Sequence, residues 1–298
     1  MSVAVAGDLN VDIFLKVPAL PRLDVSVAAH SAKALPGGVA GNTASHLIEL
    51  GVDATLIAAV GDDVLGKYLT GRLRGVGISP ERVRVINGEP TGVMVIMLLP
   101  DGEKAIVGCR GANEHLTITR GESREVASLV NHVHASGYMA LNRDGGESLL
   151  NLLSEAVKAG ITTSIDLEGI ATQAKHFLPK LKGLITYAFL NKAEAKELCG
   201  TEPLTPCIQK LTKALGTTAT FIKLGKEGSA VITPHQTEII KQQEIIRKPT
   251  DTTGAGDAFN AATIATLLKG STPKEAAQEG NKAGAQTCTH LGGFKTNT

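Results

Sequence analysis

The sequence predicts an α/β fold in which helices cover a mainly parallel sheet. Short apolar segments of strand length recur along the chain, and helical patterns of apolar residues lie between several of them. The strand-like segments are residues 3–7, 54–60, 161–165, 184–189, 220–224 and 229–232. The helical patterns are residues 43–50, 65–73, 148–159, 193–198, 208–215 and 258–268. Alternating elements of this kind form a helix-flanked parallel sheet.

The first strand and the late helix carry the clearest signals. Residues 3–7 read Val-Ala-Val-Ala-Gly, which is apolar on both faces and therefore typical of a buried parallel strand. Residues 258–268 are rich in Ala, Leu and Phe, and the next proline is Pro273. We expect the strands between these two elements to join the same sheet and the helices to pack on its faces.

Two regions interrupt the alternation with strands that have no helix between them. Residues 13–17 and 25–29 form one such pair, and residues 91–99 and 104–108 form a hairpin around Pro100-Asp101-Gly102. We expect a small sheet that lies over the site. Residues 93–99 are apolar almost without alternation, so one face of this sheet is expected to be covered by a partner chain. The prediction is a homodimer through the small sheet.

The chain shows no internal repeat, low-complexity tract or long linker. Its 298 residues and 43% apolar content are enough for one large core. We therefore predict a single domain over residues 1–298, with lid strands inserted at about 12–34 and 91–110.

Composition excludes several classes of function. The formal net charge is +1, and aromatic residues make up only 3% of the chain, with no Trp, which argues against a nucleic-acid binder or an anionic membrane surface. No apolar run approaches the length of a membrane span, and no signal segment is evident. Four cysteines without a C-x-x-C pair favour buried thiols in a reducing cytoplasm. A small polar substrate is the expected partner.

The run from Thr250 to Asn260 is the most informative feature of the chain. It places Gly254, Ala255, Gly256 and Asp257 on the first turn of the predicted helix. Backbone amides there have no intrahelical partner and lie at the positive end of the helix dipole, so they can bind an anion. A carboxylate beside an anion site can act as a general base on an attacking hydroxyl. Together they suggest phosphoryl transfer.

Two other interpretations of this run remain open at this point. It could be an ordinary capped turn, in which Asp257 only complements the helix dipole. The Gly-Ala-Gly could also open a dinucleotide-binding fingerprint, but Phe259 occupies the position of the third glycine. A Walker-type phosphate loop, G-x-x-x-x-G-K-[ST], is absent from the sequence.

Polar residues near the chain's start suggest a substrate site. Asn10 and Asp12 lie just past the first strand, at the sheet edge where α/β proteins bind ligands. Gly37, Gly38 and Asn42 lead into an apolar-periodic helix, where backbone amides and an amide side chain can meet hydroxyl groups. Alternatively, the carboxylates satisfy turn amides, and Asn42 is a simple helix N-cap.

Four motifs in order resemble the ribokinase-like (PfkB) carbohydrate kinases, and the resemblance spans nearly the whole chain. They are Gly7-Asp8-Leu9-Asn10-Val11-Asp12, then Gly37-Gly38-x-x-x-Asn42-x-Ala44, then Gly61-Asp62-Asp63-x-x-Gly66, and finally the run from Asp251 to Phe259. The resemblance implies a three-layer α/β/α fold with a mainly parallel central sheet and a small β-sheet lid.

The resemblance also implies an activity, the transfer of the γ-phosphoryl group of ATP to a hydroxyl of a sugar, nucleoside or similar alcohol. In that activity Asp257 is the base, and Gly254, Ala255 and Gly256 supply the anion hole. The residues that would hold the substrate are Asn10, Asp12, Gly37, Gly38 and Asn42.

Further residues match the family's nucleotide and metal sites. Asn191 and Glu194 match its N-x-x-E motif, which acts near the phosphates and near Mg²⁺, with Glu194 contacting the ion through water. Without the family context, a helix capping box is the preferred interpretation of these two residues. The nucleotide-binding candidates are Lys223, Gly225, Gly228 and Asn281. Lys223 could instead be a solvated surface charge.

The resemblance further implies a site for a monovalent cation. Asp251 and Thr253, with the turn at residues 290–292, are similar to the loop that holds K⁺ in the potassium-activated members of the family.

This chain departs from the family pattern in one segment. Many sugar-acid kinases of this group carry D-x-N-x-R after a strand, whereas this chain reads Asp166-Leu167-Glu168, without the arginine, which disfavours a ketodeoxygluconate kinase. Arg110 is a candidate lid contact to an anionic substrate or phosphate, although a surface arginine is the simpler interpretation. Asn142 follows a strand-like segment at residues 138–141 and has no assigned role.

The leading hypothesis is therefore an ATP- and Mg²⁺-dependent sugar kinase. A nucleoside kinase is the alternative, and the scarcity of aromatic residues favours a sugar. A non-catalytic relative that binds sugar or nucleotide, and an NAD-linked dehydrogenase, are the candidates from other classes.

Overall fold

The computed structural model describes residues 1–100, 103–244, 246 and 249–294. Its strands are β1 Ser2–Ala6, β2 Asn10–Lys16, β3 Ser31–Gly37, β4 Asp53–Gly61, β5 Val83–Ile86, β6 Gly92–Leu98, β7 Lys104–Cys109, β8 His132–Ser136, β9 Thr162–Asp166, β10 Tyr187–Asn191, β11 Ala219–Lys223, β12 Gly228–Ile232 and β13 Thr237–Lys241. Its α-helices are α1 Val39–Glu49, α2 Val64–Gly75, α3 Arg120–Leu129, α4 Glu147–Lys158, α5 Glu168–Gln173, α6 Lys192–Cys199, α7 Leu204–Leu215, α8 Ala255–Leu268 and α9 Pro273–Thr287.

The large sheet is mainly parallel, as predicted. Among the described residues its strand order is β13-β12-β11-β10-β9-β8-β1-β4-β5. Strand β12 pairs in antiparallel fashion with both of its neighbours, β11 and β13, and the other pairs are parallel. Strand β1 lies between β4 and β8 and pairs in parallel with both. Because parallel strands point the same way, their carboxyl ends meet at one edge, where the candidate site residues follow.

Helices cover both faces of this sheet. Successive β1 residues face opposite cores: Val3 and Val5 pack with α1, α2, α8 and α9, while Ala4 and Ala6 pack with α3 to α7. All four side chains are fully buried. The sheet therefore lies between two helical layers, which confirms the three-layer α/β/α architecture.

A small four-stranded sheet, in the order β3-β2-β6-β7, forms the lid. Strands β6 and β7 pair in antiparallel fashion, so the predicted hairpin is confirmed, although Asp101 and Gly102 of its turn lie outside the described residues. The strand predicted at residues 25–29 is wrong. Its place is taken by β3, whose pairing with β2 sets Gly37 opposite Asn10 and so fixes the register near the site.

Other differences from the sequence prediction have local causes. Strands β5, β8 and β13 and helix α5 span only four to six residues, and helix α3 is mostly polar, so none of them contains a long apolar pattern. Residues 137–141 form a 3₁₀ turn rather than a strand. Helix α1 begins at Val39, so Asn42 lies inside its first turns instead of capping it.

The prediction of four buried thiols was wrong: two of the cysteines are bonded to each other, Cys109 is exposed and Cys288 is half-buried. Cys199 and Cys207 form a disulfide between the end of α6 and the start of α7, with their Cα atoms 5.8 Å apart. Cys109 and Cys288 are free thiols. No spacing motif in the sequence predicts this disulfide, because it depends on the packing angle between two consecutive helices.

Among the residues described, none of the helices combines the length and apolar character that crossing a bilayer requires.

Candidate active site

The first turn of α8 forms one wall of the candidate site. Gly254 caps the helix with φ 78°, a left-handed conformation, and a methyl group there would overlap the Cα atom of Gly293. The amide of Ala258 donates to the Gly254 carbonyl (2.9 Å), whereas Ala255 donates to Thr252 over a longer 3.3 Å. Gly256 and Asp257 follow within this first turn, where a helix has no carbonyl of its own to accept their amides. The turn is thus built to meet an anion.

A cavity of about 460 Å³ opens in front of this helix start. The structure gathers around it every predicted nucleotide-site residue, from segments far apart in sequence. These are Asn191, Glu194, Lys223, Gly225, Gly228 and Asn281, which lie together with Ala255, Gly256 and Asp257. Its size is that of a pocket for a small ligand or cofactor.

Asp257 is held by Asn42. The Nδ2 atom of Asn42 donates to the Asp257 carboxylate at 2.7 Å, which joins α1 to α8 across the site. Burial raises the pKa of Asp257 to about 6, although the hydrogen bond from Asn42 and the nearby charge of Lys223 oppose the rise. The Oδ1 atom of Asn42 is buried and accepts no hydrogen bond within the described chain, so an acceptor beside Asp257 is left without a partner.

Asp12 faces the same side of the site. Its carboxylate lies directly against Gly37, where a side chain would overlap it unless the carboxylate moved. Burial raises the pKa of Asp12 to about 7, and the carboxylates of Asp257 and Asp251 add to the rise. Gly38 is the left-handed N-cap of α1, with φ 86°. These residues bring two carboxylates, Asp12 and Asp257, toward one space.

Asn10 has a structural partner. Its Oδ1 atom accepts from the Nδ2 atom of Asn113 at 2.8 Å, and Asn113 also donates to the Leu9 carbonyl. Asn10 thus lies beside Asp12 at the start of β2, but it is already engaged by the segment that follows the lid.

Lys223 is a buried ion-pair partner and not a solvated surface charge. Its ammonium contacts the Asp166 carboxylate, and Asn260 Nδ2 donates to the same carboxylate at 2.7 Å. Although burial alone would lower it, the pKa of Lys223 is raised by the negative charges of Asp166 and Glu194. A Cβ atom on Gly256 would be 3.4 Å from Nζ, so this positive charge borders the helix start.

Sequence reasoning did not assign Asp166, Glu168 and Asn260 to the site. Asp166 ends β9, and its Oδ1 atom is a buried acceptor without a partner among the described residues. Glu168 accepts from Ser136 at 2.7 Å, and burial holds its pKa well above the usual range. The available signal was position, because Asp166 follows a buried strand at the edge where ligands bind.

Asn191 and Glu194 satisfy both interpretations of their motif. They form a full capping box at the start of α6, and both line the cavity. Burial raises the pKa of Glu194 to about 7, and the charge of Asp166 adds to the rise. Asn281 also lines the cavity, and its side chain donates to the Ile240 carbonyl at 3.1 Å.

Arg110 is neither a surface arginine nor a free anion ligand in this conformation. It binds Asp8 through two hydrogen bonds of 2.7 and 2.8 Å and donates to Asn142 at 2.9 Å. Its guanidinium also lies over the Tyr138 ring. The lid's last strand is therefore tied to the carboxyl end of β1.

Asp251 and Thr253 form a tight loop before α8. Asp251 Oδ1 accepts from the amide (3.0 Å) and hydroxyl (2.8 Å) of Thr253, while Oδ2 accepts from the Gly292 amide at 3.0 Å. The predicted loop and the predicted turn therefore meet on one buried carboxylate.

Comparison with known proteins identifies the family. Residues 1–297 match the pfkB family carbohydrate kinase. A ribokinase from Arabidopsis thaliana is 30% identical over 91% of this chain and 72% of that protein. An ATP-dependent ribose-1-phosphate kinase from Halopiger xanaduensis is 30% identical over 96% of this chain and 92% of its own length.

Solved structures agree on the fold. Arabidopsis thaliana ribokinase, complexed with ribose and ATP, superimposes with a TM-score of 0.82 at 26% identity and covers 97% of this chain and 93% of that one. Adenosine kinase from Sinorhizobium meliloti has a TM-score of 0.85 at 23% identity, with 99% and 95% covered. With a family match over residues 1–297 and relatives that are 30% identical over most of its length, the chain belongs to the pfkB family of carbohydrate kinases.

Proposed function

We propose that this kinase transfers the γ-phosphoryl group of ATP to a hydroxyl of a small sugar, by in-line transfer with Asp257 as the base. The observation that carries the proposal is the position of Asp257, which is buried on the first turn of α8 between the large cavity and Asn42. A pKa of about 6 leaves this carboxylate ionised at neutral pH yet basic enough to accept a proton.

The remaining roles follow from the contacts. Asp12 and the free Oδ1 atom of Asn42 would accept hydrogen bonds from sugar hydroxyls, and the backbone at Gly37 and Gly38 would lie close to the sugar. The first-turn amides of α8 and the Lys223 ammonium would stabilise negative charge on the transferred group. Arg110 would contribute to the substrate only after leaving Asp8.

The donor set fits ATP and Mg²⁺. Gly225, Gly228 and Gly256 have no side chains, so the phosphates of a nucleotide could approach the backbone at that part of the cavity wall. Among the described residues no group of three metal-ligating side chains forms a cage, which is the usual situation for Mg²⁺ bound by phosphates, waters and one or two carboxylates. Asp166 and, through water, Glu194 would hold the ion, which would neutralise phosphate charge when bound.

Two further properties belong to the proposal. ATP as the donor implies a cytoplasmic reaction, where the Cys199–Cys207 pair would be reduced. A homodimer through the lid sheet is supported by Val107, which is 60% exposed on β7.

The test is a substrate panel assayed with ATP and Mg²⁺. Ribose, fructose, tagatose phosphate and ketodeoxygluconate would be compared with adenosine, cytidine and pseudouridine, and ATP consumption measured for each. We expect the highest kcat/KM with a sugar, because the assigned substrate groups are carboxylates, amides and backbone. A preference for a nucleoside would replace the sugar assignment with the nucleoside-kinase alternative, and no turnover on any member would contradict the proposal.

A further inference from the structure

Asp251 carries a charge that the protein has to balance. Its side chain is fully buried, and its two oxygens accept three hydrogen bonds, from Thr253 and Gly292. Burying a carboxylate without an opposite charge is unfavourable even when it is well hydrogen-bonded. In the potassium-activated relatives that this loop resembles, a metal ion supplies that charge.

In this chain the opposite charge comes from the lid. The Nζ atom of Lys104, the first residue of β7, lies 3.7 Å from Asp251 Oδ1 and donates to Thr253 Oγ1 at 3.1 Å. Only 27% of the Lys104 side chain is exposed. The ammonium therefore already contacts the two side chains that were predicted to hold a monovalent cation.

Two further groups, Cys288 and Asp12, lie close enough to the ammonium for its charge to act on them. Burial raises the pKa of the Cys288 thiol, Asp251 adds to the rise, and Lys104 opposes it. Lys104 likewise opposes the rise at Asp12. Cys288 lies at the end of α9, and its carbonyl accepts from the amide of Thr250, one residue before Asp251. Lys104 thus faces the loop and its neighbours from the lid side.

A potassium ion does not fit this arrangement. An ammonium group and K⁺ have the same charge and similar size. The ammonium donates three hydrogen bonds to oxygen atoms that would otherwise coordinate the metal ion. Two such cations in one cradle would repel each other at short range in a poorly solvated site. The loop can hold one of them.

We propose that the ammonium of Lys104 is the resident cation of the Asp251–Thr253 loop, so that this kinase does not require K⁺. This deepens the proposed function, since the loop leads directly into Gly254 and the anion site. Lys104 is then a positioning residue: it acts through Asp251 and Thr253 on the conformation of the helix start.

The test replaces Lys104 by methionine, which keeps the side chain's length and removes its charge. Lys33→Met, at an exposed lysine of β3 in the same lid, is the matched control. Each protein is prepared without alkali cations and assayed in about 100 mM KCl, NaCl or choline chloride, so that ionic strength is constant. The readouts are kcat and the melting temperature without substrate.

We expect kcat of the wild-type and Lys33→Met proteins to be the same in the three salts. Lys104→Met should lose activity in choline chloride by about 10²-fold, as expected for a displaced catalytic helix start, and recover most of it in KCl. Its melting temperature should rise in KCl relative to choline chloride, while that of the wild type does not. A general structural role for Lys104 would not produce rescue by K⁺.

Two results would overturn the inference. One is a wild-type protein whose kcat or melting temperature depends strongly on K⁺. This measurement does not depend on whether the variant folds. The other is a folded Lys104→Met protein that responds to KCl and choline chloride alike. If no substrate is turned over, the proposed function fails, but the melting temperatures still decide the role of Lys104.

Discussion

Asn42 and Asp257 are 215 residues apart in sequence, yet the Asn42 amide donates a 2.7 Å hydrogen bond to the Asp257 carboxylate. The bond joins the first turns of α1 and α8, which belong to the same helical layer. It fixes the orientation of the base and leaves the second carboxylate oxygen for a substrate hydroxyl. The partners of this bond therefore control both the position and the basicity of the group that we assign to catalysis.

Asp257→Asn should reduce kcat by about 10²–10⁴-fold, because the amide cannot accept the hydroxyl proton. ATP binding, measured by calorimetry, should be nearly unchanged, since the first-turn amides remain. Asp53→Asn, at an exposed position of β4, serves as the control and should have wild-type kinetics. Full activity in the Asp257 variant would show that another group is the base.

The dependence of kcat/KM on pH should show that Asp257 and Asp12 must both be ionised for activity. Burial raises the pKa of Asp257 to about 6 and that of Asp12 to about 7. As the pH drops, kcat/KM should therefore fall by about tenfold per unit while Asp12 takes up its proton, and more steeply below about pH 6, where Asp257 is protonated as well. Asn42→Ala removes a hydrogen bond that lowers the pKa of Asp257, so its acid limb should move to higher pH. The exposed Asn87→Ala variant should keep the wild-type profile, and an unmoved limb in Asn42→Ala would contradict the assignment.

Gly254→Ala should destabilise the protein by about 2–5 kcal/mol, because the new methyl group combines a left-handed backbone with overlap against Gly293. Gly160 has a similar φ of 73°, but no described atom lies within 4 Å of its would-be Cβ. Gly160→Ala should therefore cost only about 1–2 kcal/mol. Urea unfolding of both variants measures the difference, and equal losses would mean that the contact with Gly293 is unimportant.

Light scattering should give twice the chain mass of 30.9 kDa if the lid sheet is a dimer interface. Val107→Glu, on the exposed face of β7, should shift the protein toward monomer by burying a charge in the interface. Val85 is 55% exposed on β5, outside the lid, and Val85→Glu should leave the mass unchanged. A monomeric wild type at working concentration would remove the prediction.

The disulfide predicts a thiol count. Unfolded protein prepared without reductant should react with two equivalents of a thiol reagent, at Cys109 and Cys288, and with four after reduction. Reduction should lower the free energy of unfolding by about 2–3 kcal/mol, because the short loop between Cys199 and Cys207 gains freedom in the unfolded chain. A Cys207→Ser variant should be insensitive to reductant. Four reactive thiols without reductant would exclude the bond.

The layers of this fold could be predicted from local patterns, because strand and helix periodicities are properties of consecutive residues. Residues of the site were found where they lie in one motif, as Gly254 and Asp257 do. Partners on different elements were missed: Lys223 and Asp166, on two strands, are 57 positions apart, and Asp166 and Asn260 of α8 are 94 positions apart. Such pairs depend on strand order and register, which a single sequence does not state.

The last strand of the lid is anchored differently at its two ends. Beyond its carboxyl end, Arg110 grips Asp8 through two hydrogen bonds, with side chains 14% and 6% exposed. At its amino end, the more exposed Lys104 makes a longer contact of 3.7 Å with Asp251. The contact at Lys104 is the weaker of the two, so we expect an opening lid to separate first at that end.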